Sequence, residues 1–214
     1  MTNNPIIPIC FGDGVGHEIM YHTLNILRFA DVPLSFHTLE MGSRSYHHGF
    51  RYGIPASAMD KIMEHKILLT APIASKPNEE HFLDFDIASY LNCEIKTPSN
   101  FPYADFNFKN LEFMTASSFF SKADNDGNIY AIFKPDHNIH EELAEDTVNP
   151  TAMILAAIML LKYLDLNDKA EKIHNALYNS LKSGYLTFDI IEQNDLSNIA
   201  CSTTEFVEQI IARL

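Results

Sequence analysis

Cysteine is scarce in this chain of 214 residues, and its three cysteines, Cys10, Cys93 and Cys201, lie far apart. An odd number of widely spaced cysteines with no C-x-x-C pair indicates neither a disulfide framework nor a cysteine-bound zinc site. Unpaired thiols are typical of a reducing compartment, so we expect a cytoplasmic protein.

Basic residues are also few, since 15 lysines and arginines stand against 28 acidic residues and give a formal net charge of −13. They form no cluster, and an acidic surface repels phosphate backbones and anionic lipids. The longest apolar stretch, near Ala152–Leu161, is too short to cross a bilayer. We therefore expect neither nucleic acid nor a membrane as a partner.

Apolar periodicity predicts alternating strands and helices, which is typical of an α/β fold. The predicted strands are Ile6–Phe11, Leu34–Leu39, Lys66–Ile73, Leu111–Ala116 and Ile129–Phe133. The predicted helices are Glu18–Arg28, Ser57–His65, Thr151–Leu164, Asp168–Ser183 and a last helix from the capping box Ser202–Glu205 through Ile211. The segment Pro77–Asn110 is acidic, aromatic and poorly periodic, and only Ile87–Tyr90 within it has strand or helix character.

A glycine-rich loop follows the first predicted strand, where Gly12, Gly14 and Gly16 form a G-x-G-x-G pattern. Glycines between a strand and a helix leave backbone N–H groups uncovered at the helix N-terminus, which favours anions. His17 stands where a dinucleotide fingerprint needs its last glycine, so the motif is weak. The loop is either part of a ligand site or only a tight strand-to-helix turn.

Two clusters of side chains could hold a metal, although the sequence favours surface roles for both. Carboxylates are concentrated at Glu79, Glu80, Asp84, Asp86 and Glu94 and could bind a hard cation, but they lack a calcium-loop spacing. Histidines occur at His47, His48, His137 and His140. Such pairs are more often hydrogen-bonded surface residues than ligands, and we predict no metal site.

Four segments resemble, in this order, the isocitrate and isopropylmalate dehydrogenase family: "GDGVGHEIM", "YGIPASAMDKIMEHKILLTAPI", "NPTAMILAAIMLLKYL" and "CSTTEFVEQIIARL". The likeness is greatest to bacterial isocitrate dehydrogenases. It implies a parallel-mixed sheet flanked by helices and, in the family, metal-assisted oxidative decarboxylation of a 2-hydroxy acid with NAD or NADP.

The resemblance also implies that a segment is missing. In the family, a small domain inserted in mid-chain supplies the catalytic tyrosine and lysine and most of the metal-binding aspartates. Here the early segment "NLEFMTA" is followed almost at once by "NIYAIFKPDHN". We therefore predict a single large-domain-like unit over residues 1–214, with the small domain missing near residues 111–128 and no catalytic residues retained.

The family's substrate arginines, in a pattern resembling R-x-x-L-x-L-x-x-N-x-R, align with "DFDIASYLNCE". Asn92 matches the family asparagine, whereas Asp84 and Glu94 occupy the two arginine positions. Arginine binds carboxylates through a planar, bidentate fork, and a carboxylate at the same place repels them. Isocitrate is not expected to bind.

The cofactor loop of the family resembles H-G-S-A-P-D-I-A-G followed by Asn-Pro, and here it reads "HNIHEELAEDTVNP". His137 and Asn149 match, and Glu142 could replace the ribose-binding aspartate. Both family glycines are replaced, by Asn138 and Glu145. His137, Glu142 and Asn149 form a candidate site for NAD together with the glycine loop, that is, with Gly12, Gly14 and Gly16.

These features predict a catalytically inactive, truncated isocitrate dehydrogenase-like protein that acts through protein contacts or a weakly bound small molecule. An NAD(P)- or adenine nucleotide-binding module is an alternative, as is an oxidoreductase of changed chemistry. The aromatic residues of Phe101–Phe120 could belong to the core, but they flank the predicted deletion, and we expect some of them to line an exposed patch for a protein partner or self-association.

Overall fold

A computed structural model describes residues 4–50, 53–73, 87, 91–99, 101–106, 114–136, 144–191 and 198–214. Its main sheet has the strand order β2-β1-β3-β6-β5-β4. The strands are β1 (Ile6–Cys10), β2 (Ser35–Thr38), β3 (Ile67–Thr70), β4 (Cys93–Pro98), β5 (Ala116–Ser121) and β6 (Ala131–Pro135). β2, β1, β3 and β6 are parallel, while β5 and β4 continue the sheet in antiparallel pairings. A short parallel pair joins β7 (Tyr185–Thr187) to β8 (Ile199–Cys201).

Helices cover both faces of the main sheet. They are α1 (Gly16–Phe29), α2 (Ser43–His47), α3 (Ala56–His65), α4 (Thr151–Tyr163), α5 (Asn167–Lys182) and α6 (Thr203–Ile211). Successive side chains of β3 point to opposite faces of the sheet, because side chains alternate along a strand. They therefore belong to two hydrophobic cores, a larger core on one face and a smaller core on the other. Leu69 lies in the larger core, to which α1, α4, α5 and α6 also contribute, whereas Leu68 lies in the smaller core with Ala58 and Ile62 of α3. The sheet is therefore the middle layer of an α/β sandwich, as the sequence predicted.

Helix α4 lies at the centre of the larger core. Ten of its residues are buried, which fits a helix that is apolar nearly all round. α6 begins at the predicted capping box, in which Ser202 Oγ accepts from the Glu205 backbone N–H at 3.2 Å. In return, the Glu205 carboxylate accepts from the Ser202 N–H at 2.9 Å. The predicted helix Thr151–Leu164 and the predicted capping box Ser202–Glu205 are both confirmed. Within the described ranges, no helix is long and apolar enough to cross a membrane.

The antiparallel side of the sheet differs from the prediction. β5 occupies Ala116–Ser121, so it begins where the predicted strand Leu111–Ala116 ends, and β6 lies two residues beyond the predicted start at Ile129. β4 has no predicted counterpart, and α2 was also missed. The polar sequence of β4 and its terminal proline are typical of the sheet edge on which it lies.

Two aromatic side chains of the segment Phe101–Phe120 are buried, which is the core alternative for these positions. Phe101 is 6% exposed and packs against the rings of Phe106, Tyr178 and His174, while Phe119 is 7% exposed. Both side chains belong to the core, because α5 covers the ring of Phe101 and Phe119 packs in the smaller core on the α3 side of the sheet. Residues 107–113 lie outside the described part of the chain, and association through Phe101–Phe120 stays a prediction.

Candidate functional site

The glycine loop connects β1 to α1 and packs tightly against Ala71 and Pro72, the two residues after β3. Gly12 has a φ of +67°, and a Cβ there would lie 2.0 Å from the carbonyl oxygen of Pro72. The adjacent N–H of Asp13 donates to the same oxygen at 2.9 Å. A Cβ on Gly16 would lie 2.7 Å from the carbonyl oxygen of Phe11. Close backbone packing therefore explains Gly12 and Gly16 without any ligand.

A cavity of about 670 Å³ opens beside this loop. The first turns of α1 form one wall, and the second wall is made by residues 145 and 146 with the start of α6. Its lining residues are Gly14, Val15, His17, Glu18, His22, Glu145, Asp146 and Thr204. The tertiary structure thus brings the glycine loop to the segment that follows the predicted cofactor residues His137 and Glu142.

Asp146 joins the walls of this cavity. Its N–H donates to Glu18 Oε2 at 3.0 Å, and its Oδ1 accepts from the N–H and Oγ1 of Thr204 at 2.7 and 2.8 Å. Burial alone would raise the pKa of Asp146, but the hydrogen bonds from Thr204 outweigh it and hold the pKa below its usual value. The carboxylate is therefore fixed in position and charged at neutral pH.

Glu18, His22 and Asp146 converge at this point. One ligand-capable atom from each lies within 4.8 Å of the other two. His22 is 8% exposed, and burial lowers its pKa even though Glu18 and Asp146 act in the opposite direction. Glu18 Oε1 is buried and has no hydrogen-bond partner among the described residues. Sequence analysis missed this cluster, whose only local signal is the i, i+4 spacing of Glu18 and His22 on one helical face.

The predicted site residues fall into two groups. Asp84, His137 and Glu142 lie outside the described residues, and so do Glu79, Glu80, Asp86, Asn138 and His140. Glu94 lies on β4 with its side chain 73% exposed, 3.6 Å from the ammonium group of Lys122. His47 and His48 are exposed at the end of α2. Among the described residues of the predicted NAD site, only Gly14 lines the cavity.

Asn149, a predicted cofactor residue, points into the protein and is 4% exposed. Its Nδ2 donates to Thr187 Oγ1 at 2.9 Å, and its Oδ1 accepts from the N–H of Thr151 at 3.0 Å. The Asn149 N–H donates to Asp189 Oδ2 at 2.8 Å. The side chain thus accepts a hydrogen bond from the first N–H of α4 and ties this helix to β7.

Comparisons with known proteins agree with this fold. Residues 113–210 match the isocitrate/isopropylmalate dehydrogenase family. An isocitrate dehydrogenase [NADP] of Rickettsia typhi is 36% identical over 91 residues, which are 42% of this chain and 19% of that protein. A probable isocitrate dehydrogenase [NAD] subunit alpha, mitochondrial, of Drosophila melanogaster is 37% identical over 86 residues, 39% of this chain and 21% of that protein.

The crystal structure of isocitrate dehydrogenase from Methylococcus capsulatus has the same fold, with a TM-score of 0.74 at 14% identity. The superposition covers 97% of this chain and 98% of that chain. The molecule is thus an α/β protein with a parallel-dominated sheet. The match of residues 113–210 and the curated relatives support the isocitrate/isopropylmalate dehydrogenase family. The matched segments span about a fifth of the length of the two curated relatives.

Proposed function

We propose that this chain is a catalytically inactive relative of the isocitrate dehydrogenases, which acts through a bound small molecule or a protein partner. The observation that carries the proposal is Glu94. Its carboxylate lies on β4 at a position where the resemblance implies a substrate-binding arginine, and its only ion-pair partner among the described residues, Lys122, is 86% exposed.

The reversal turns an attractive contact into a repulsive one. A carboxylate about 4 Å from one carboxylate of a substrate repels it by roughly 4 kcal/mol at an effective dielectric constant of 20, and by roughly 1 kcal/mol where water screens the pair fully. An exposed lysine contributes little to offset this, since surface ion pairs are worth about 0–1 kcal/mol. The resemblance implies a further repulsion from Asp84, which stands at the other arginine position of the family pattern.

The described residues around the cavity also fit an anionic dinucleotide poorly. Three carboxylates, those of Glu18, Glu145 and Asp146, line it, and neither lysine nor arginine is among the described lining residues. The positive end of α1, which could attract a phosphate, already has Glu18 in its first turn. Asn149 is turned away from the cavity into the core.

The test is a spectrophotometric assay of the purified chain. With isocitrate or isopropylmalate, Mg²⁺ or Mn²⁺, and NAD or NADP, we expect no reduced cofactor above the blank. The double variant Asp84→Arg with Glu94→Arg should remain inactive, because substrate binding cannot replace missing acid–base groups. Turnover that persists through repurification and scales with protein concentration would refute the proposal.

A nucleotide-binding module is the second candidate, favoured by the meeting of Gly14 with Glu145 at one cavity. Calorimetry with NAD, NADP, ATP and AMP tests it. If a phosphate enters the cavity, Glu145→Gln should strengthen binding by removing a like charge, whereas the exposed control Glu94→Gln should leave binding unchanged. No binding at millimolar nucleotide would end this alternative.

The proposal also includes the single-domain organisation over residues 1–214 and association through Phe101–Phe120. Light scattering at rising protein concentration tests the association. Because Phe119 is buried in this chain, Phe120→Asp is the better probe of that surface than Phe119→Asp. A folded wild type that stays monomeric at high micromolar concentration would contradict self-association.

A further inference from the structure

We propose that Glu18, His22 and Asp146 form a binding site for a divalent transition-metal ion, for which Zn²⁺ is the representative. The three side chains offer one imidazole and two carboxylates, a set that suits borderline metals better than Mg²⁺ or Ca²⁺, which prefer oxygen alone. None of the three residues belongs to the acidic cluster predicted at residues 79–94 or to the predicted histidine pairs.

The geometry fits an ion of this size. The three ligand atoms lie within 4.8 Å of one another. Zinc bonds to histidine nitrogen and carboxylate oxygen are about 2.0–2.2 Å long, so an ion between the groups needs only small side-chain adjustments to reach all three. Glu18 and His22 are one helical turn apart on α1, which places both on the same face.

An independent observation indicates that a ligand is missing from these contacts. Glu18 Oε1 is fully buried and lacks a hydrogen-bond partner among the described residues. His22, at 8% exposure, is the most buried of the three side chains. Buried polar atoms are rarely left unpaired, and a metal held between Glu18 and His22 would satisfy Glu18 Oε1.

The surroundings hold the ligands in place and leave a coordination position open. Thr204 fixes the Asp146 carboxylate with two hydrogen bonds, and the Asp146 N–H holds Glu18 through Oε2, so Oε1 is left for the metal. Such contacts to the ligands typically raise metal affinity. The cavity of about 670 Å³ lies beside the three groups and gives the ion a path and room for a water or small ligand.

The charge is also complementary. The two carboxylates carry a formal charge of −2, which a divalent ion neutralises when the imidazole is neutral, while Glu145 adds a further negative charge to the wall. A bound ion would connect α1 to residue 146 and, through Thr204, to the start of α6. Metal binding should therefore stabilise the fold as well as occupy the site.

The experiment is calorimetric titration of the full, metal-stripped chain with Zn²⁺, repeated with Co²⁺ while its visible absorption is recorded. We expect one tight site per chain and intensified cobalt bands. His22→Gln and Glu18→Gln should each weaken Zn²⁺ binding at least about tenfold, and Thr204→Val should weaken it less. His47→Gln, a control for adventitious surface histidines, should leave the tight site unchanged.

Circular dichroism of each variant without metal separates lost binding from lost folding. If Glu18→Gln is unfolded, His22→Gln and Thr204→Val still decide the question. The proposal is overturned if the wild type shows no tight site, or if a folded His22→Gln binds Zn²⁺ as the wild type does. Loss of the tight site in His47→Gln would likewise overturn it. None of these results depends on whether the chain has dehydrogenase activity.

Discussion

Replacing Gly12 by alanine should destabilise this protein far more than the same change at an open glycine. Two effects add at Gly12. An L-residue at its φ of +67° costs about 1–2 kcal/mol. The new Cβ would also lie 2.0 Å from the carbonyl oxygen of Pro72, and such overpacking typically costs about 1–3 kcal/mol. We expect a total loss of about 2–5 kcal/mol in the free energy of unfolding.

Gly127 provides the matched control. It also has a positive φ, of +79°, but a Cβ there would meet no atom within 4 Å. Gly127→Ala should therefore lose only the conformational part, about 1–2 kcal/mol. The difference between the two variants isolates the contact of the glycine loop with Pro72.

Urea unfolding followed by circular dichroism measures both variants, provided that the dependence on urea concentration is the same in each. A native domain is stable by about 5–15 kcal/mol, so Gly12→Ala can fall close to the folding threshold. If Gly12→Ala loses no more stability than Gly127→Ala, the loop is not held by backbone packing. Its glycines would then require another explanation, such as close approach to a ligand.

Three further predictions concern buried groups. In the native protein a thiol reagent should modify Cys93 first, since Cys10 and Cys201 are buried. Burial also raises the pKa of both of these thiols, that of Cys201 to about 11. Mass spectrometry of the labelled chain checks the order of modification. Asn149→Ala should cost about 1–3 kcal/mol in urea unfolding, because it removes the side-chain hydrogen bonds to Thr151 and Thr187, and a neutral result would contradict that role. Burial lowers the pKa of His174 in the folded protein, so the unfolded chain binds the proton at a higher pH than the folded one. The free energy of unfolding should therefore fall as the pH drops below about 6.5. Unfolding curves should show a smaller loss in His174→Gln, and an equal loss would refute the assignment.

The sequence by itself determined the elements whose signals are local. The capping box of α6 lies within four residues, and the continuous apolar run at Ile67–Thr70 is typical of a strand buried on both faces. Thr151–Tyr163 is apolar all round and could only be a buried helix. Such patterns predict an α/β sandwich without knowledge of any distant contact.

Tertiary pairing decided the antiparallel side of the sheet. β4 carries Cys93, Glu94 and a terminal proline, and nothing in that composition specifies a strand. It is a strand because β5 offers it an edge with which to hydrogen-bond. The register of β5 follows in turn from its pairing with β6, which accounts for the displacement from the predicted Leu111–Ala116.

The candidate metal site also depends on the tertiary structure. Glu18 and His22 are neighbours on a helix, but Asp146 follows Glu18 by 128 positions in the chain. Packing of α1 and α6 against the larger core brings these groups together, and Thr204 then fixes the carboxylate. Burial leaves Glu18 Oε1 without a partner, and no local sequence pattern records burial or a contact between such distant residues.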